Sequence, residues 1–466
     1  MLDFLFAFLS ILRYTISYMK RLLRKLFPQK LINQYHRIIA LFWAHHYFMP
    51  SRSLVVIGVT GTNGKTTTCQ LIAKVLETAG YKVGLASTIN FKIGSKEWVN
   101  STKMTSPKSH TLQKMLREMV TAGCQYAVIE TSSHALDQHR VDGINFDIAV
   151  MTNLTREHLD YHKTMENYQA AKSLLFQKLK SRKNKVLAGR RIAKVSILNM
   201  EDLTFSEFQK IPADDYYGYR VFDTEDQMLN EGGVNFVEAY GLRLDMQSSE
   251  FLLVTPRGKS NVVLKLPGEF NVENALAAAT VGLSQGMQVK DIAKALESVA
   301  SIPGRMEEIP NDLDLRIFVD YAVTPDSMKK LAQLVEKLNY KKLIWVFGSC
   351  GDRDKGKRPI MGRIVGEAAD CAIITNEDPY SEDPQVIIDA VAQGVGEAKG
   401  FEQENKSWWR ISDRREAIQF ALNELAKPGD VILVTGKGAE TTMAISAEER
   451  VEWNDRKVIE EILNKK

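Results

Sequence analysis

Three kinds of hydrophobic patterning follow one another along the chain. Residues 1–25, MLDFLFAFLSILRYTISYMKRLLRK, repeat with helical spacing. At 100° per residue Asp3, Ser10, Arg13, Ser17, Lys20, Arg21 and Arg24 fall in one sector roughly 100° wide. The remaining surface of that helix is Leu, Phe, Ile, Tyr and Met. Residues 28–50 predict a second short helix, closed by Pro50. From Ser53 to about Phe176, β-branched runs (Leu54–Ile57, Val83–Ser87, Tyr126–Glu130, Ile148–Asn153) alternate with helical patterns. That alternation predicts an α/β unit with a parallel sheet. Val195 to Leu266 breaks into short alternating segments with turn residues such as Glu231-Gly232-Gly233 and Pro256-Arg257-Gly258, and predicts mostly antiparallel strands. Helical patterns return at Asn271–Gln285 and Val289–Val299. After Ile302-Pro303-Gly304 strands are expected at Leu315–Val319, Lys342–Phe347, Cys371–Thr375 and Val431–Thr435, with helices between them, as in a doubly wound unit. The fold class is therefore α/β, with a helical segment at 1–50, a central domain at 51–301 and a C-terminal, Rossmann-like domain at 302–466.

The chain has 466 residues, a formal net charge of +4, 44% hydrophobic and 25% charged residues. This is a globular composition, and the net charge is too small for the length to imply nucleic acid. Positive charge gathers near the N-terminus, at Arg13, Lys20, Arg21, Arg24, Lys25 and Lys30. The first helix has a charge inside its apolar run and no small-residue cleavage site after it, so it is neither a clean membrane span nor a signal peptide. An interfacial anchor and a helix packed on the protein's own core both fit its amphipathicity. A cytoplasmic location is expected, peripheral at the inner face of the membrane on the anchor reading. Cys69, Cys124, Cys350 and Cys371 are far apart and lack metal-ligand spacing, as expected of reduced thiols.

The most specific chemistry is Gly58-Val-Thr-Gly61-Thr62-Asn63-Gly64-Lys65-Thr66-Thr67-Thr68, between a strand and a helix. Glycines let backbone N–H groups turn onto a polyphosphate, a lysine adds a point charge, and Thr66 offers a hydroxyl to Mg²⁺. The run predicts binding of a nucleoside triphosphate without naming the reaction. Glu130, in Glu130-Thr-Ser132-Ser133-His134, ends a predicted strand beside that loop, where a carboxylate can hold Mg²⁺. His158, in Thr152-Asn-Leu-Thr-Arg-Glu157-His158, stands near another strand end as a candidate metal ligand. Lys172 follows in Tyr168-Gln-Ala-Ala-Lys172-Ser-Leu-Leu-Phe176, out of place in a cationic site unless modified.

Four further runs lie in the last third: Gly304-Arg305-Met-Glu, Val319-Asp320-Tyr321-Ala-Val323-Thr-Pro325, Gly351-Asp352-Arg353-Asp354-Lys-Gly-Lys-Arg358-Pro and Gly436-Lys437-Gly438-Ala439-Glu440. Together with the loop, and in this order from Leu54 to Met443, they resemble the Mur ligase family, within it the ligases that add the third amino acid. The resemblance implies an ATP-dependent, ADP-forming acid–amino-acid ligase of peptidoglycan synthesis with ATP and Mg²⁺ as cofactors. Its partners would be a muramoyl-peptide-type acceptor and a free amino acid. It implies catalytic roles for Lys65, Lys172, Glu130 and His158, and metal ligation by Thr66, Glu130, His158 and a carbamylated Lys172. ATP would be held by Gly61, Thr62, Asn63, Gly64, Lys65, Thr66 and Thr67, with Asn274 at adenine, Arg305 at phosphate and Asp320 at ribose. Thr105, Ser106, Ser132, Gln138 and Arg140 match acceptor contacts. Arg353, Glu377, Asp378, Gly436 and Glu440 fall at the amino-acid side, where Arg353 can hold an α-carboxylate.

Departures from the family pattern add expectations. Only about fifty residues precede the first strand, where these ligases carry a domain that grips uridine diphosphate, so a lipid-linked acceptor is a further hypothesis. Met104 replaces an Asn, Glu157 an Asp, and Val323 and Ala439 stand at histidine positions. Glu377-Asp378-Pro379-Tyr380 replaces an Asp-Asn-Pro-Arg run, which predicts an acidic pocket favouring lysine or ornithine over meso-diaminopimelate. On the competing reading, Glu377 and Asp378 only cap the next helix. Two other functions fit parts of the pattern: a related ligase on a folate or polyamino acid, and a non-catalytic, nucleotide-gated membrane partner of the cell-wall machinery.

Overall fold

A computed structural model describes residues 28–180, 183–222, 235–245, 247–337, 339–398 and 403–465. The amphipathic pattern at 1–25 lies outside them, as does the turn at Glu231. Residues 28–50 do form a helix, Gln29–His46, and Pro50 opens a short 3-10 turn before the first strand. Among the described residues no helix is long and apolar enough to cross a membrane.

The central unit is built on one 11-stranded sheet. Its strands are β1 (Val55–Thr60), β2 (Val83–Ala86), β3 (Asn90–Ile93), β4 (Lys96–Val99), β5 (Tyr126–Glu130), β6 (Ile148–Met151), β9 (Val195–Asn199), β10 (Asp215–Phe222), β11 (Asn235–Leu244), β12 (Ser249–Thr255) and β13 (Gly258–Leu264). A two-residue pair, β7 (Val186–Leu187) and β8 (Arg190–Arg191), stands apart. The sheet order is β13-β12-β11-β10-β9-β6-β1-β5-β2-β3-β4. Strand β1 lies between β5 and β6, parallel to both, so its C-terminal end opens onto the phosphate loop.

The expectation of mostly antiparallel strands over Val195–Leu266 is corrected. Strands β9, β10 and β11 run parallel and extend the central sheet, and only β12 and β13 turn back. Turn residues mark crossovers as well as hairpins: Pro256-Arg257-Gly258 does join the antiparallel pair β12–β13. The β9–β10 connection instead crosses over through the short helix Phe205–Phe208.

Both sheet faces are covered, as a parallel sheet requires. Val55, Ile57 and Val59 pack towards the helices Lys65–Thr78 and Glu269–Ser284, while Leu54 and Val56 pack towards Ser109–Thr121 and Met165–Lys180. Glu269–Ser284 is buried over most of its surface and lies close against Lys65–Thr78. Small residues permit this: a Cβ at Gly282 would meet Val75 Cγ1 at 2.7 Å.

The C-terminal unit is doubly wound, as expected. Its strands are β14 (Glu307–Ile309), β15 (Arg316–Asp320), β16 (Leu343–Phe347), β17 (Cys371–Ile374), β18 (Trp408–Arg410) and β19 (Val431–Thr435), in the order β14-β15-β19-β16-β17-β18, with only β14 antiparallel. Helices Pro325–Glu336, Lys357–Ala368 and Pro384–Gly396 cover one face, and Arg414–Phe420 and Asp455–Leu463 the other. These last two are joined by an ion pair with no exposed side-chain surface. Arg414 donates to Asp455 at 2.9 and 2.8 Å, and to the carbonyl of Thr435 at the end of β19 at 2.9 Å. Replacing Arg414 with Met strands a buried carboxylate. The expected loss is about 3–5 kcal/mol of stability, read by chemical denaturation.

Candidate active site

The strand ends of the two units face each other across one cleft. A cavity of about 260 Å³ is lined from the central unit by the loop Thr62–Thr67, Thr105, Glu130, His158 and Asn274, among others. From the C-terminal unit it is lined by Arg305, Asp320, Tyr321, Arg353, Glu377, Asp378, Gly436 and Glu440, among others.

The loop owes its shape to its neighbours. Gly61 has φ +152°, and a Cβ there would stand 1.8 Å from Thr152 Oγ1. That hydroxyl donates to the carbonyl of Asn63 at 2.6 Å, while the backbone N–H groups of Thr62 and Asn63 donate to the carbonyl and side chain of Asn153. Gly64, at φ +80°, starts the helix Lys65–Thr78. Lys65 Nζ donates to the carbonyls of Gly61 and Thr62, at 3.0 and 2.7 Å. Lys172 Nζ reaches the same Gly61 carbonyl from behind, at 2.6 Å. Lys172 is buried and Lys65 half-buried, and both hold their protons less firmly than usual, chiefly because removal from water disfavours charge; Lys65 adds to the effect on Lys172. Lys172 also stacks on the Tyr168 ring at 4.3 Å.

Glu130 is the hub at the end of β5. It accepts from Thr66 Oγ1 at 3.1 Å, from the backbone N–H of Thr88 at 2.7 Å and from Thr88 Oγ1 at 2.8 Å. Arg305 Nη2 donates to Thr66 Oγ1 at 3.1 Å from the other unit, and its guanidinium stacks on Tyr321 at 4.5 Å. Asn274 Oδ1 accepts from Thr68, and Asp320 is held by the N–H groups of Met306 and Ala322. Burial raises the Asp320 carboxyl above the ordinary range.

Hydroxyl and carboxylate oxygens at Thr66 and Glu130 are the hard donors Mg²⁺ takes. His158 supplies a second indication. Its Nδ1 is buried with no hydrogen-bond partner, and burial keeps the ring neutral, with His134 and Lys172 nearby reinforcing this. A neutral ring with a spare nitrogen lone pair is what a metal ligand needs. Among the described residues no three of His, Cys, Asp and Glu gather as a complete ligand set. An ion here would rely on phosphate oxygens as well, as Mg²⁺ commonly does.

Ser106, Ser132, Gln138, Arg140, Gly61 and Lys172 stand beside or behind the cavity instead of in its lining. Ser106 is 1% exposed; its hydroxyl donates to the Glu130 carbonyl at 2.8 Å and accepts from the Ser132 N–H at 2.9 Å. Arg140 donates to the Ser106 carbonyl, Ser132 caps the helix Ser133–Asp137, and Gln138 ends it. These contacts brace the segment that carries Glu130.

The expected acidic pocket is corrected by two lysines. Asp378 accepts from Lys437 at 2.8 Å and from Lys103 at 3.2 Å, and Glu440 pairs with the same two cations. The four charges balance. Glu377 is buried, its carboxyl raised by burial, and it accepts from Cys350 Sγ at 2.8 Å. Neither acid caps the next helix, because Asp383 does so. Arg353 stacks near Tyr380 at 5.7 Å, and among the described residues no carboxylate lies within ion-pairing distance of it. Glu157 pairs with Lys357 across the units at 3.0 Å, and Lys357 also donates to the carbonyl of Val323.

The sequence reading missed Thr88, Lys103, Lys357, Lys437 and Asp326, which accepts from Asn63 at 2.9 Å. Lys357 and Lys437 lay inside motifs already quoted. Lys103 had only its place beside Met104-Thr105-Ser106 to mark it.

A phosphate loop, a carboxylate hub and a nucleotide-facing arginine from a second α/β unit define a two-domain ATP-dependent ligase. Residues 59–282 match the Mur ligase middle domain, and residues 304–438 the Mur ligase glutamate ligase domain. The chain is 38% identical to the UDP-N-acetylmuramoyl-L-alanyl-D-glutamate–2,6-diaminopimelate ligase of Bacillus cereus, over 94% of this chain and 83% of that one. It is 39% identical to the UDP-N-acetylmuramyl-tripeptide synthetase of Roseiflexus, over 90% and 79%. A solved UDP-N-acetylmuramoyl-L-alanyl-D-glutamate–2,6-diaminopimelate ligase superposes with TM-score 0.55 at 30% identity, covering 88% of this chain and 78% of that one. Folylpolyglutamate synthase of Mycobacterium tuberculosis reaches 0.65 at 17% identity, over 87% and 92%, a likeness of fold alone. The chain belongs to the Mur ligase family and is an ATP-dependent amino-acid ligase.

Gly61→Ala is expected to weaken binding of a non-hydrolysable ATP analogue by roughly ten- to a hundredfold, from strain of about 1–3 kcal/mol in the loop. Equilibrium titration checks this.

Proposed function

We propose that the enzyme adds an amino acid to the dipeptide of a UDP-linked muramoyl acceptor, the third-residue step of peptidoglycan precursor assembly, in the cytoplasm. The observation that carries the reading is the single cavity in which the Lys65–Thr66–Glu130 wall faces Arg353, Asp378 and Glu440. The names of the relatives supply the acceptor class.

The acceptor carboxylate attacks the γ-phosphorus of ATP, the bond to the β-phosphate oxygen breaks, and ADP leaves. The amine of the incoming amino acid then attacks the acyl carbon. Phosphate departs, the nitrogen gives up a proton, and an amide remains. Charge neutralisation is the main demand, since two anions must meet. Lys65 and Arg305 answer it at the phosphates. Asn274 and Asp320 hold adenine and ribose, and Arg353 holds the α-carboxylate of the amino acid. Mg²⁺, when bound, adds neutralisation at the transferring phosphoryl group; Thr66 and Glu130 would hold one ion, His158 and a carbamylated Lys172 a second. Burial of Lys172 favours the neutral amine, the form that attacks CO₂ and loses a proton to become an anionic carbamate.

The test is phosphate release by the full chain with ATP, Mg²⁺, bicarbonate, UDP-muramoyl-dipeptide and a panel of amino acids. Release is expected only when acceptor and amino acid are both present; no release with any pair would overturn the proposal. Lys172→Arg, which cannot carry a carbamate, is expected to lose roughly a hundredfold in kcat and to lose the carbamate resonance seen by NMR after isotope-labelled bicarbonate is added. Lys103→Met removes one of the balancing cations beside Asp378 and Glu440. It is expected to shift the kcat/KM ratio towards lysine over diaminopimelate, roughly five- to tenfold. An unchanged ratio would mean that this quartet does not face the amino-acid side chain.

A further inference from the structure

The helix Gln29–His46 carries apolar side chains on two opposite faces. One face is spent on the protein: Asn33, Ala40 and Ala44 are buried, and the helix packs on Ser109–Thr121. The other bears Leu31, Tyr35, Ile38 and Phe42, which are 56, 62, 66 and 56% exposed. At 100° per residue these four fall in an arc about 60° wide, opposite the buried face. Phe48, just past the helix, is 80% exposed. Scattered exposed apolar residues are ordinary, but a continuous row of large ones along a helix marks an interaction surface.

Charge identifies the occupant. Residues 4–54 contain eight lysines and arginines and no aspartate or glutamate, although the whole chain is only +4, so the rest of the molecule is net negative; of the eight, Arg37 is paired with Asp142 at 3.4 Å. A second copy placed on the row would bring the same cations against themselves. An apolar strip within a strongly basic segment fits a bilayer rich in anionic lipid, where each nearby cation contributes to attraction and the apolar side chains enter the headgroup boundary. The sequence of residues 1–25, outside the described residues, has a similar composition: five lysines and arginines, one acid (Asp3) and mostly apolar side chains.

We propose that Leu31, Tyr35, Ile38 and Phe42 form a membrane-docking face that holds the enzyme against an anionic bilayer. The face lies on the helix that precedes the catalytic units, so docking leaves the cleft's own residues unengaged. This surface is independent of which amino acid or acceptor the ligase takes.

The experiment is sedimentation of the full chain with vesicles of phosphatidylcholine alone and of phosphatidylcholine mixed with phosphatidylglycerol. The wild type is expected to pellet with the anionic vesicles, and less so in high salt. The double variant Ile38→Glu/Phe42→Glu changes only exposed positions. It is expected to bind roughly tenfold more weakly while keeping its thermal unfolding temperature. Val386→Glu, at another exposed apolar position (56%), is expected to bind like the wild type. The proposal is overturned if the wild type stays in the supernatant or if the double variant binds as well as the wild type. It is also overturned if light scattering shows a lipid-free dimer that the double variant dissolves. Phosphate release is measured on the same samples: vesicle binding without release would remove the ligase reading and leave the docking face standing.

Discussion

Two lysine side chains share one carbonyl oxygen. Lys65 and Lys172 both donate to Gly61 O, and among the described residues neither has a carboxylate in hydrogen-bonding contact. Burial lowers the proton affinity of both, and the charge of Lys65 lowers that of Lys172 further. The arrangement becomes stable by gaining negative charge, and the chemistry offers it twice. On the proposed reading, phosphates entering the loop would give Lys65 a partner, and carbamylation would turn the Lys172 amine into an anion. The strict geometry of the loop follows from the same crowding: Gly61 has no room for a Cβ because Thr152 must hold the Asn63 carbonyl, which keeps the loop open towards the cleft.

The second unit is tied to this point by polar contacts that join residues far apart in sequence. Arg305 reaches Thr66, Asp326 takes Asn63, and Lys357 pairs with Glu157. Arg305, Thr66 and Asn63 are residues whose chemistry suits phosphate. On the proposed reading, the contacts of Arg305 with Thr66 and of Asp326 with Asn63 are of the kind a nucleotide could replace, whereas Lys357–Glu157 would remain. Ser106, Ser132 and Arg140 brace the segment that carries Glu130 through hydrogen bonds within the central unit alone.

Much of this was legible in the chain, for identifiable reasons. The glycine and threonine run after Leu54–Ile57 encodes its own strand–loop–helix context locally, and β5 and β19 fall where the β-branched runs place them. The parallel path of β9, β10 and β11 was not legible, because direction depends on the crossover between strands and turn residues occur in crossovers and hairpins alike. Ser106 and Arg140 were recognisable by type, but their place behind the lining depends on the approach of the chain around residue 132, which sequence spacing does not record. Lys103 was missed for a related reason. Its partners lie hundreds of residues away, and it becomes meaningful only when the loop after β4 meets Asp378 and Glu440.

That quartet changes what the amino-acid side of the cleft asks of its ligand. Two acids read in isolation imply a cationic side chain. The same acids held by Lys103 and Lys437 offer no net charge, so a cationic ligand has to compete with ammonium groups already in place. A ligand carrying both an amine and a carboxylate at its far end would find groups of each sign in the quartet. Diaminopimelate has that form, and lysine has only half of it. The replacement of an arginine by Tyr380 therefore does not by itself remove the cationic function from this side of the cleft, because Lys103 brings an ammonium there from the other unit. On the proposed reading, specificity at this position belongs to the interface between the units, because Lys103 comes from one and Asp378, Lys437 and Glu440 from the other.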